Sequence, residues 1–253
     1  MISNPLKEKL ARGETAYGAL VGWPGADMPE FLGFLGFDWI FIDAEHGTIG
    51  RESCEAMVRA CNVAGVTPIV RVPANDRAMI LGYLETGAMG IIVPHVNTAE
   101  DARAAVAAVR YLRPGKRGAG STSRAAHYGL TQPASDYFRQ ANDAILLMIV
   151  IEEAEGVANL EEILAVAGID AVAVGPGDMA LSMGYPGQSN EPAVRHLVEE
   201  AEARLARATQ AMVTVVGDAE EARAAVKRGA DMIIISAARL LSSAAHAFLE
   251  SVR

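Results

Sequence analysis

Hydrophobic positions along the chain fall into eight short, mostly apolar runs that alternate with longer segments of helical periodicity. Short continuous apolar runs are typical of strands whose two faces are both buried by crossover helices. We predict strands near Tyr17–Val21, Trp39–Ile42, Pro68–Val72, Gly90–Val93, Leu146–Ile151, Ala171–Val174, Met212–Val216 and Met232–Ile235. This alternation predicts an α/β fold, a (β/α)₈ or TIM barrel, formed by one domain over residues 1–253.

The segments between the runs predict the helices of the barrel. They lie near Met28–Leu35, Arg51–Val63, Arg77–Glu85, Ala99–Tyr111, Gly156–Val166, Glu191–Ala208, Ala219–Lys227 and Arg239–Val252. Asn4 and Pro5 followed by Gly13 predict a short additional helix at the N-terminus. The connection from Leu112 to Asn142 is long and rich in Gly, Ser and Arg, with one helix predicted near Ala134–Gln140. We expect it on the side of the strand ends, as a lid or a subunit contact.

Composition excludes several classes of protein. The chain has 51% hydrophobic residues, which suits a large α/β core. Its formal net charge of −9 argues against a nucleic-acid surface. No apolar run approaches the ~18 residues of a membrane span, and the N-terminus does not resemble a signal peptide. Cys54 and Cys61 lie two helical turns apart, roughly 10 Å, too far for a disulfide. We therefore predict a cytoplasmic protein with reduced thiols.

Charged residues appear where the predicted strands end, which is where barrels of this kind carry their reacting groups. Glu152 and Asp178 follow the fifth and sixth strands, and two carboxylates with open positions suit a hard divalent ion such as Mg²⁺ or Mn²⁺. Helix-capping or solvated acids are the alternative interpretation. Glu153 and Glu155 stand beside Glu152, and spacing alone does not choose among the three.

Arg71 and His46 are the other candidates at strand ends. A guanidinium at the end of the third strand suits a substrate carboxylate, although a buried ion pair with Glu45 or Asp43 has nearly equal weight. His46 lies beside Glu45 and is a candidate general base. His95 and His127 are weaker candidates for the same role.

The positions of the lysines bear on whether the site could form an imine with a carbonyl substrate. The chain has only Lys7, Lys9, Lys116 and Lys227, and none of them ends a predicted strand. Imine formation requires a lysine inside the site, so it is disfavoured. Lys116, in the long connection, is the one lysine that could still supply an imine, and stabilisation of an enolate by a metal ion is the natural alternative.

The chain resembles the HpcH/HpaI aldolases, the class II pyruvate aldolases, over nearly its whole length. The resemblance rests on these motifs: 37-FDWIFIDAEHG-47, 70-VRVP-73, 92-IVP-94, 113-RPGKRG-118, 151-IE-152 with 159-NL-160, and 174-VGPGD-178 followed by 183-MG-184. It implies reversible cleavage of 4-hydroxy-2-oxoacids to pyruvate and an aldehyde through a metal-stabilised enolate. It also implies a homo-oligomer, a hexamer or trimer, with the last helix exchanged between subunits.

The resemblance also implies roles for individual residues. Glu152 and Asp178 correspond to the metal ligands, with Mg²⁺ or Mn²⁺ expected and Co²⁺ or Zn²⁺ as further options. Arg71 corresponds to the group that holds pyruvate, and His46 to the base, supported by Asp43. Glu85 stands where relatives carry an Asp that pairs with the histidine across subunits. The other substrate-binding predictions, all at strand ends, are Trp23, Gly175, Pro176 and Gly177.

Two departures from the family pattern bear on aldehyde specificity. Val150 replaces a usual Gln, and Ser236-Ala237-Ala238 replaces a usual Gly-Ser-Asp. Two other functions therefore stay open at this point. One is an acyl-CoA lyase or other pyruvate- or phosphoenolpyruvate-type enzyme on the same barrel, and the other is a metal-binding barrel without turnover.

Overall fold

Eight parallel strands close into a barrel in the order β1-β2-β3-β4-β5-β6-β7-β8 in a computed structural model that describes residues 2–112 and 115–253. The strands are β1 Ala16–Val21, β2 Trp39–Asp43, β3 Thr67–Arg71, β4 Gly90–Val93, β5 Leu146–Ile151, β6 Ala171–Val174, β7 Ala211–Val216 and β8 Met232–Ser236. Closure is made by β8, which pairs with β1 from Ala16↔Met232 to Leu20↔Ser236. The predicted (β/α)₈ barrel is confirmed.

The helices surround this barrel. They are α1 Pro5–Ala11, α2 Asp27–Phe34, α3 Arg51–Ala64, α4 Arg77–Leu84, α5 Ala99–Val109, α6 Ala134–Ala144, α7 Ala154–Ala158, α8 Leu160–Leu164, α9 Pro176–Ser182, α10 Pro192–Leu205, α11 Ala219–Lys227 and α12 Ala237–Val252. A 3₁₀ helix covers Arg124–Gly129. The helix predicted near Gly156–Val166 is divided in two at Asn159, whose side chain donates a hydrogen bond to Asn97 O at 2.9 Å. The short helix α9 was not predicted, because its sequence reads as a turn.

Side-chain alternation along the strands fills the barrel interior. Trp39, Phe41, Ile69, Met148 and Val150 belong to one buried cluster inside the barrel. Trp39 has no exposed surface, and its ring occupies the space that a side chain at position 18 would take. A Cβ added to Gly18 would lie 2.2 Å from the indole. Gly18 is therefore required by the close approach of the indole.

Helix α1 closes the end of the barrel where the strands begin. Leu6 and Leu10 of α1 pack against the interior cluster. On the polar side of α1, Lys7 pairs with Asp170 at 2.8 Å and Lys9 with Asp38 at 2.6 Å. Both lysines are therefore engaged at the end of the barrel opposite the predicted site.

The long connection lies at that same end, contrary to the expectation of a lid over the strand ends. Arg124 donates to Thr86 O at 2.6 Å, and His127 and Tyr128 line a cavity with Thr67 and Met89. The reason is topological, because a segment that leaves a helix and enters a strand must lie where strands begin. Arg113 and Pro114 of the predicted motif lie outside the described residues.

Helix α12 leaves the barrel instead of packing along it. Every residue from Ala238 to Arg253 is exposed, including Leu241, Phe248 and Val252 at 60–65%. Cys54 and Cys61 are free and buried in α3, as expected. Among the residues that the structure describes, no helix combines the length and the hydrophobicity that a bilayer crossing requires.

Candidate active site

The same alternation that fills the barrel interior brings three charged side chains to its mouth. Side chains two residues apart on a strand point to the same face. Trp39, Phe41, Ile69 and Val150 point into the barrel, and Asp43, Arg71 and Glu152 each follow one of them by two residues. All three charged side chains therefore point inward where their strands end. Asp43 and Arg71 are direct partners in the pairing of β2 and β3. The predicted convergence of charged side chains therefore follows from alternation along each strand and from the pairing of neighbouring strands.

Arg71 is the centre of this group. Its Nε donates to Asp43 Oδ1 at 3.0 Å, and its Nη2 donates to Asp43 Oδ2 at 2.7 Å. Its Nη1 lies 3.0 Å from Glu45 Oε2, and the guanidinium carbon lies 5.2 Å from the centre of the Phe41 ring. The ion-pair alternative for Arg71 is therefore present, with both carboxylates that the sequence offered.

The electrostatics of this ion pair favour full ionisation of both partners. Burial raises the pKa of Asp43, but the hydrogen bonds and charge of Arg71 and the backbone N–H groups of His46 and Glu45 outweigh it, so the pKa lies below its usual value. Burial lowers the pKa of Arg71, but Asp43, Glu45 and Glu152 more than compensate, and it lies above its usual value. Arg71 is thus a fixed positive charge at the mouth.

Glu152 is the most buried carboxylate of the site, at 2% exposure, whereas Glu153 is half-buried and Glu155 is exposed. Burial, followed by the charges of Glu45 and Asp178, raises the pKa of Glu152 against the opposing effect of His95. A Cβ added to Gly175 would lie 2.8 Å from Glu152 Oε2, so Gly175 leaves the room that this carboxylate occupies. Burial thus distinguishes Glu152 from its two acidic neighbours.

Glu45 and His46 are held over the mouth by a tight loop after β2. The backbone N–H groups of Glu45 and His46 donate to Asp43 Oδ1 at 3.2 and 3.3 Å. A Cβ added to Gly47 would lie 2.2 Å from Asp43 O and 2.5 Å from Gly22 O, so only glycine fits there. Asp43 therefore supports His46 through its backbone.

His46 links this loop to the end of β6. Its imidazole is 58% exposed, with Nε2 at 3.7 Å from Glu45 Oε2 and 3.9 Å from Asp178 Oδ2. Asp178 itself lies in the first turn of α9, where Gly175 and Pro176 begin the helix. His46 and Asp178, predicted from different strand ends, are brought together.

A second set of potential metal ligands lies beside the predicted pair. One ligand atom from each of Glu45, His95 and Glu152 falls within 4.8 Å of the other two. Glu45 Oε2 is buried and accepts no hydrogen bond from the described residues. That oxygen is nevertheless paired in charge with Arg71 Nη1 at 3.0 Å, and the other oxygen, Oε1, faces His95 Nε2 at 3.5 Å. Carboxylate and imidazole ligand atoms grouped in this way fit a cation. Glu45 and His95 were not predicted as ligands, although both follow strand ends.

Other predicted residues have different surroundings. Trp23 is 38% exposed and lies just beyond the end of β1. Val150, the departure before Glu152, is buried inside the barrel, and Ser236 passes directly into α12. Within the described chain Glu85 is not part of this site, because it ends α4 at the opposite end of the barrel, 3.2 Å from Arg117. Its role across subunits stays a prediction.

Comparisons with known proteins identify relatives of this chain. The family model described as HpcH/HpaI aldolase/citrate lyase matches residues 23–240. A hydroxypyruvate/pyruvate aldolase of Sagittula stellata is 36% identical over 92% of this chain and 90% of its own length. A 2-keto-3-deoxy-L-rhamnonate aldolase of Escherichia coli K12 is 33% identical over 96% of this chain and 90% of its own.

A solved structure gives the same result for the fold. The crystal structure of an HpcH/HpaI aldolase/citrate lyase family protein from Burkholderia cenocepacia J2315 superimposes with a TM-score of 0.93 at 32% identity. The match covers 99% of this chain and 100% of that one. The resemblance inferred from the motifs is confirmed, and the chain belongs to the HpcH/HpaI aldolase/citrate lyase family.

Proposed function

We propose that this chain is a divalent-metal-dependent aldolase that reversibly cleaves 4-hydroxy-2-oxoacids into pyruvate and an aldehyde. The enzyme class, a carbon–carbon lyase, rests on relatives that are aldolases and match over nine-tenths of the chain. The observation that carries the mechanism is the position of the Arg71 guanidinium beside a buried Glu152, at the mouth of the barrel.

The metal ion would be held by Glu152 and Asp178, whose charges lie close enough for Asp178 to raise the pKa of Glu152. Buried Glu152, with ligand atoms of Glu45 and His95 close by, fits a cation. The ion would supply positive charge for the carboxylate and keto oxygens of the bound 2-oxoacid.

Arg71 can bind substrate without releasing Asp43. A guanidinium carries five N–H donors, and two of those of Arg71 are used by Asp43. Nη1 lies 3.0 Å from Glu45 Oε2, but the side-chain hydrogen bonds of Arg71 go to Asp43. The protons on Nη1 can therefore reach the carboxylate and the keto oxygen of the 2-oxoacid. The same contact stabilises the negative charge that forms on that oxygen when the carbon–carbon bond breaks.

His46 is the group proposed to move the proton. Its exposed Nε2 accepts the proton of the C4 hydroxyl, the C3–C4 bond breaks, and the electron pair passes into the enolate of pyruvate. The aldehyde leaves, and C3 of the enolate takes up a proton to give pyruvate. Glu45 and Asp178, at 3.7 and 3.9 Å, stabilise the imidazolium formed in between.

The test is release of pyruvate from a panel of 4-hydroxy-2-oxoacids, followed by reduction with lactate dehydrogenase and NADH. We expect turnover that EDTA abolishes and that added Mn²⁺ or Mg²⁺ restores. Metal binding without pyruvate from any such substrate would favour a non-catalytic barrel. Release from acyl-CoA or phosphoenolpyruvate substrates alone would favour the other enzyme classes.

We also propose that the protein is a cytoplasmic homo-oligomer in which α12 is exchanged. The outer surface of β1 and β8, where a final barrel helix would pack, carries an apolar groove of about 310 Å³ beside Tyr17, Phe37 and Ile235. The start of α12 borders this groove through Arg239, Leu240 and Ser243. The exposed leucines and phenylalanine of α12 match this groove in character and need a cover. Light scattering after gel filtration should give a trimer or hexamer, and a monomer would contradict the exchange.

A further inference from the structure

His95 points into the mouth of the barrel although strand alternation would direct it outward. Ile91 and Val93, which have the same parity along β4, belong to the cluster between barrel and helices. His95 has a φ of 54°, in the left-handed region that residues other than glycine seldom adopt. This backbone turn redirects the ring, and its nitrogens lie 3.5 Å from Glu45 Oε1 and from Glu152 Oε1.

Hydrogen bonds to the backbone hold this turn in place. The N–H of His95 donates to Glu152 Oε1 at 2.8 Å, and the N–H of Val96 donates to Val150 O at 3.2 Å. The carboxylate that is most buried in the site therefore fixes the backbone from which the imidazole projects. A ring positioned in this way is oriented before any ligand arrives.

The two ring nitrogens have different neighbours. Nδ1 lies 3.2 Å from Glu153 Oε1, at hydrogen-bond distance, and 3.5 Å from Glu152 Oε1, so we assign its proton to the shorter contact with Glu153. Nε2 then carries a lone pair and faces Glu45 Oε1 at 3.5 Å. Two electron-pair donors that face each other beside the buried Glu152 define a place for a cation.

We propose that His95 Nε2 is a further ligand of the divalent metal ion assigned above to Glu152 and Asp178, with Glu45 as the carboxylate that faces it, and that Glu153 orients the ring. Metal-bound histidines commonly donate their other N–H to a carboxylate in this way. Donor atoms bonded to one ion at about 2.1 Å are about 3.0–3.4 Å apart when adjacent. The 3.5 Å separation between His95 Nε2 and Glu45 Oε1 is close to that range.

A nitrogen ligand changes which metal the site prefers. Imidazole suits transition ions, whereas Mg²⁺ prefers oxygen ligands and water. The site therefore selects Mn²⁺, Co²⁺ or Zn²⁺ over Mg²⁺. This inference rests on the proposed metal dependence, but it is tested by the coordination of the ion and not by turnover.

The experiment is electron spin-echo envelope modulation of the purified protein loaded with Mn²⁺, which detects nitrogen bound to the ion. The matched variants are His95→Asn and His46→Asn, because His46 is the other histidine within 4 Å of Glu45. We expect ¹⁴N modulation in the wild type and in H46N, and its loss in H95N. Competition titrations should show the affinity ratio of Mn²⁺ to Mg²⁺ falling about tenfold in H95N.

A third variant tests the orienting carboxylate. Glu153→Gln should keep the ¹⁴N modulation and weaken Mn²⁺ binding by about tenfold, as for other groups that orient a metal-bound histidine. Circular dichroism and thermal melts of the EDTA-treated proteins verify that each variant folds. Modulation that persists in H95N, that is absent from the wild type, or that cannot form because no Mn²⁺ binds overturns the inference. Pyruvate release, measured separately, decides the proposed function, so a protein with the modulation but without turnover would refute only that function.

Discussion

Replacing Arg71 with methionine would remove the positive charge from between two buried carboxylates. The side chain of Arg71 is 12% exposed and that of Asp43 is 6% exposed, and two hydrogen bonds of 3.0 and 2.7 Å join them. Methionine keeps an apolar stem against Phe41 but offers no donor. Asp43 would then be a buried carboxylate that has lost its counter-charge, with Glu45 beside it.

Loss of one partner from a buried ion pair typically costs about 3–5 kcal/mol. The matched control is Arg195→Met, which breaks an exposed pair with Glu199 at 3.4 Å and should cost about 0–1 kcal/mol. The assay is urea-induced unfolding at pH 7 in the presence of EDTA. Adding Asp43→Asn to R71M should recover part of the loss, because the buried charge left behind is then removed.

The pH dependence of the unfolding free energy tests whether the loss in R71M comes from the charge of Asp43. The pKa of Asp43 is lowered in the folded wild type, so its stabilisation is complete above about pH 4 and is lost as pH falls through the folded pKa. Without Arg71, burial raises that pKa, so the penalty is present at neutral pH and relieved on acidification. The stability difference between wild type and R71M should therefore narrow as pH falls. A difference below 1 kcal/mol at pH 7, or one that stays constant down to pH 3, would refute this reasoning.

Three further outcomes are expected. Saturating Mn²⁺, at about 100 times its dissociation constant, should stabilise the wild type by about 2.7 kcal/mol in thermal melts and have little effect on Glu152→Gln. Gly18→Ala should cost about 1–3 kcal/mol in urea melts, because its Cβ would lie 2.2 Å from Trp39. Gly50→Ala, with nothing within 4 Å, should cost only the weaker N-cap of α3, about 0.5–1 kcal/mol. Phe248→Asp should lower the molecular mass measured by light scattering, since that side chain is 65% exposed on α12.

The sequence by itself determined the barrel and most of the groups at its mouth. Continuous apolar runs separated by helical periodicity have few compact solutions other than parallel strands covered by helices, so all eight strands were located to within one residue at each end. Arg71 was identified because side chains alternate along a buried strand. A charged residue at the end of such a strand must face either the mouth of the barrel or the surrounding helices. The absence of a lysine at any predicted strand end disfavoured an imine mechanism.

Only the tertiary structure decided which acid is buried and which side chains with metal-ligating atoms lie together. Glu152, Glu153 and Glu155 are chemically alike, and their difference arises from the approach of Gly175 and His95, which lie far away in sequence. His95 was undervalued because alternation assumes extended backbone, and a single left-handed residue reverses the direction of its side chain. The long segment was assigned to the wrong end because its composition was weighed, whereas its place between a helix and the next strand already puts it where strands begin. The local pattern of apolar and polar residues determines the type of each element and the face to which each side chain points. The burial of a side chain and its grouping with others depend on which distant segments meet.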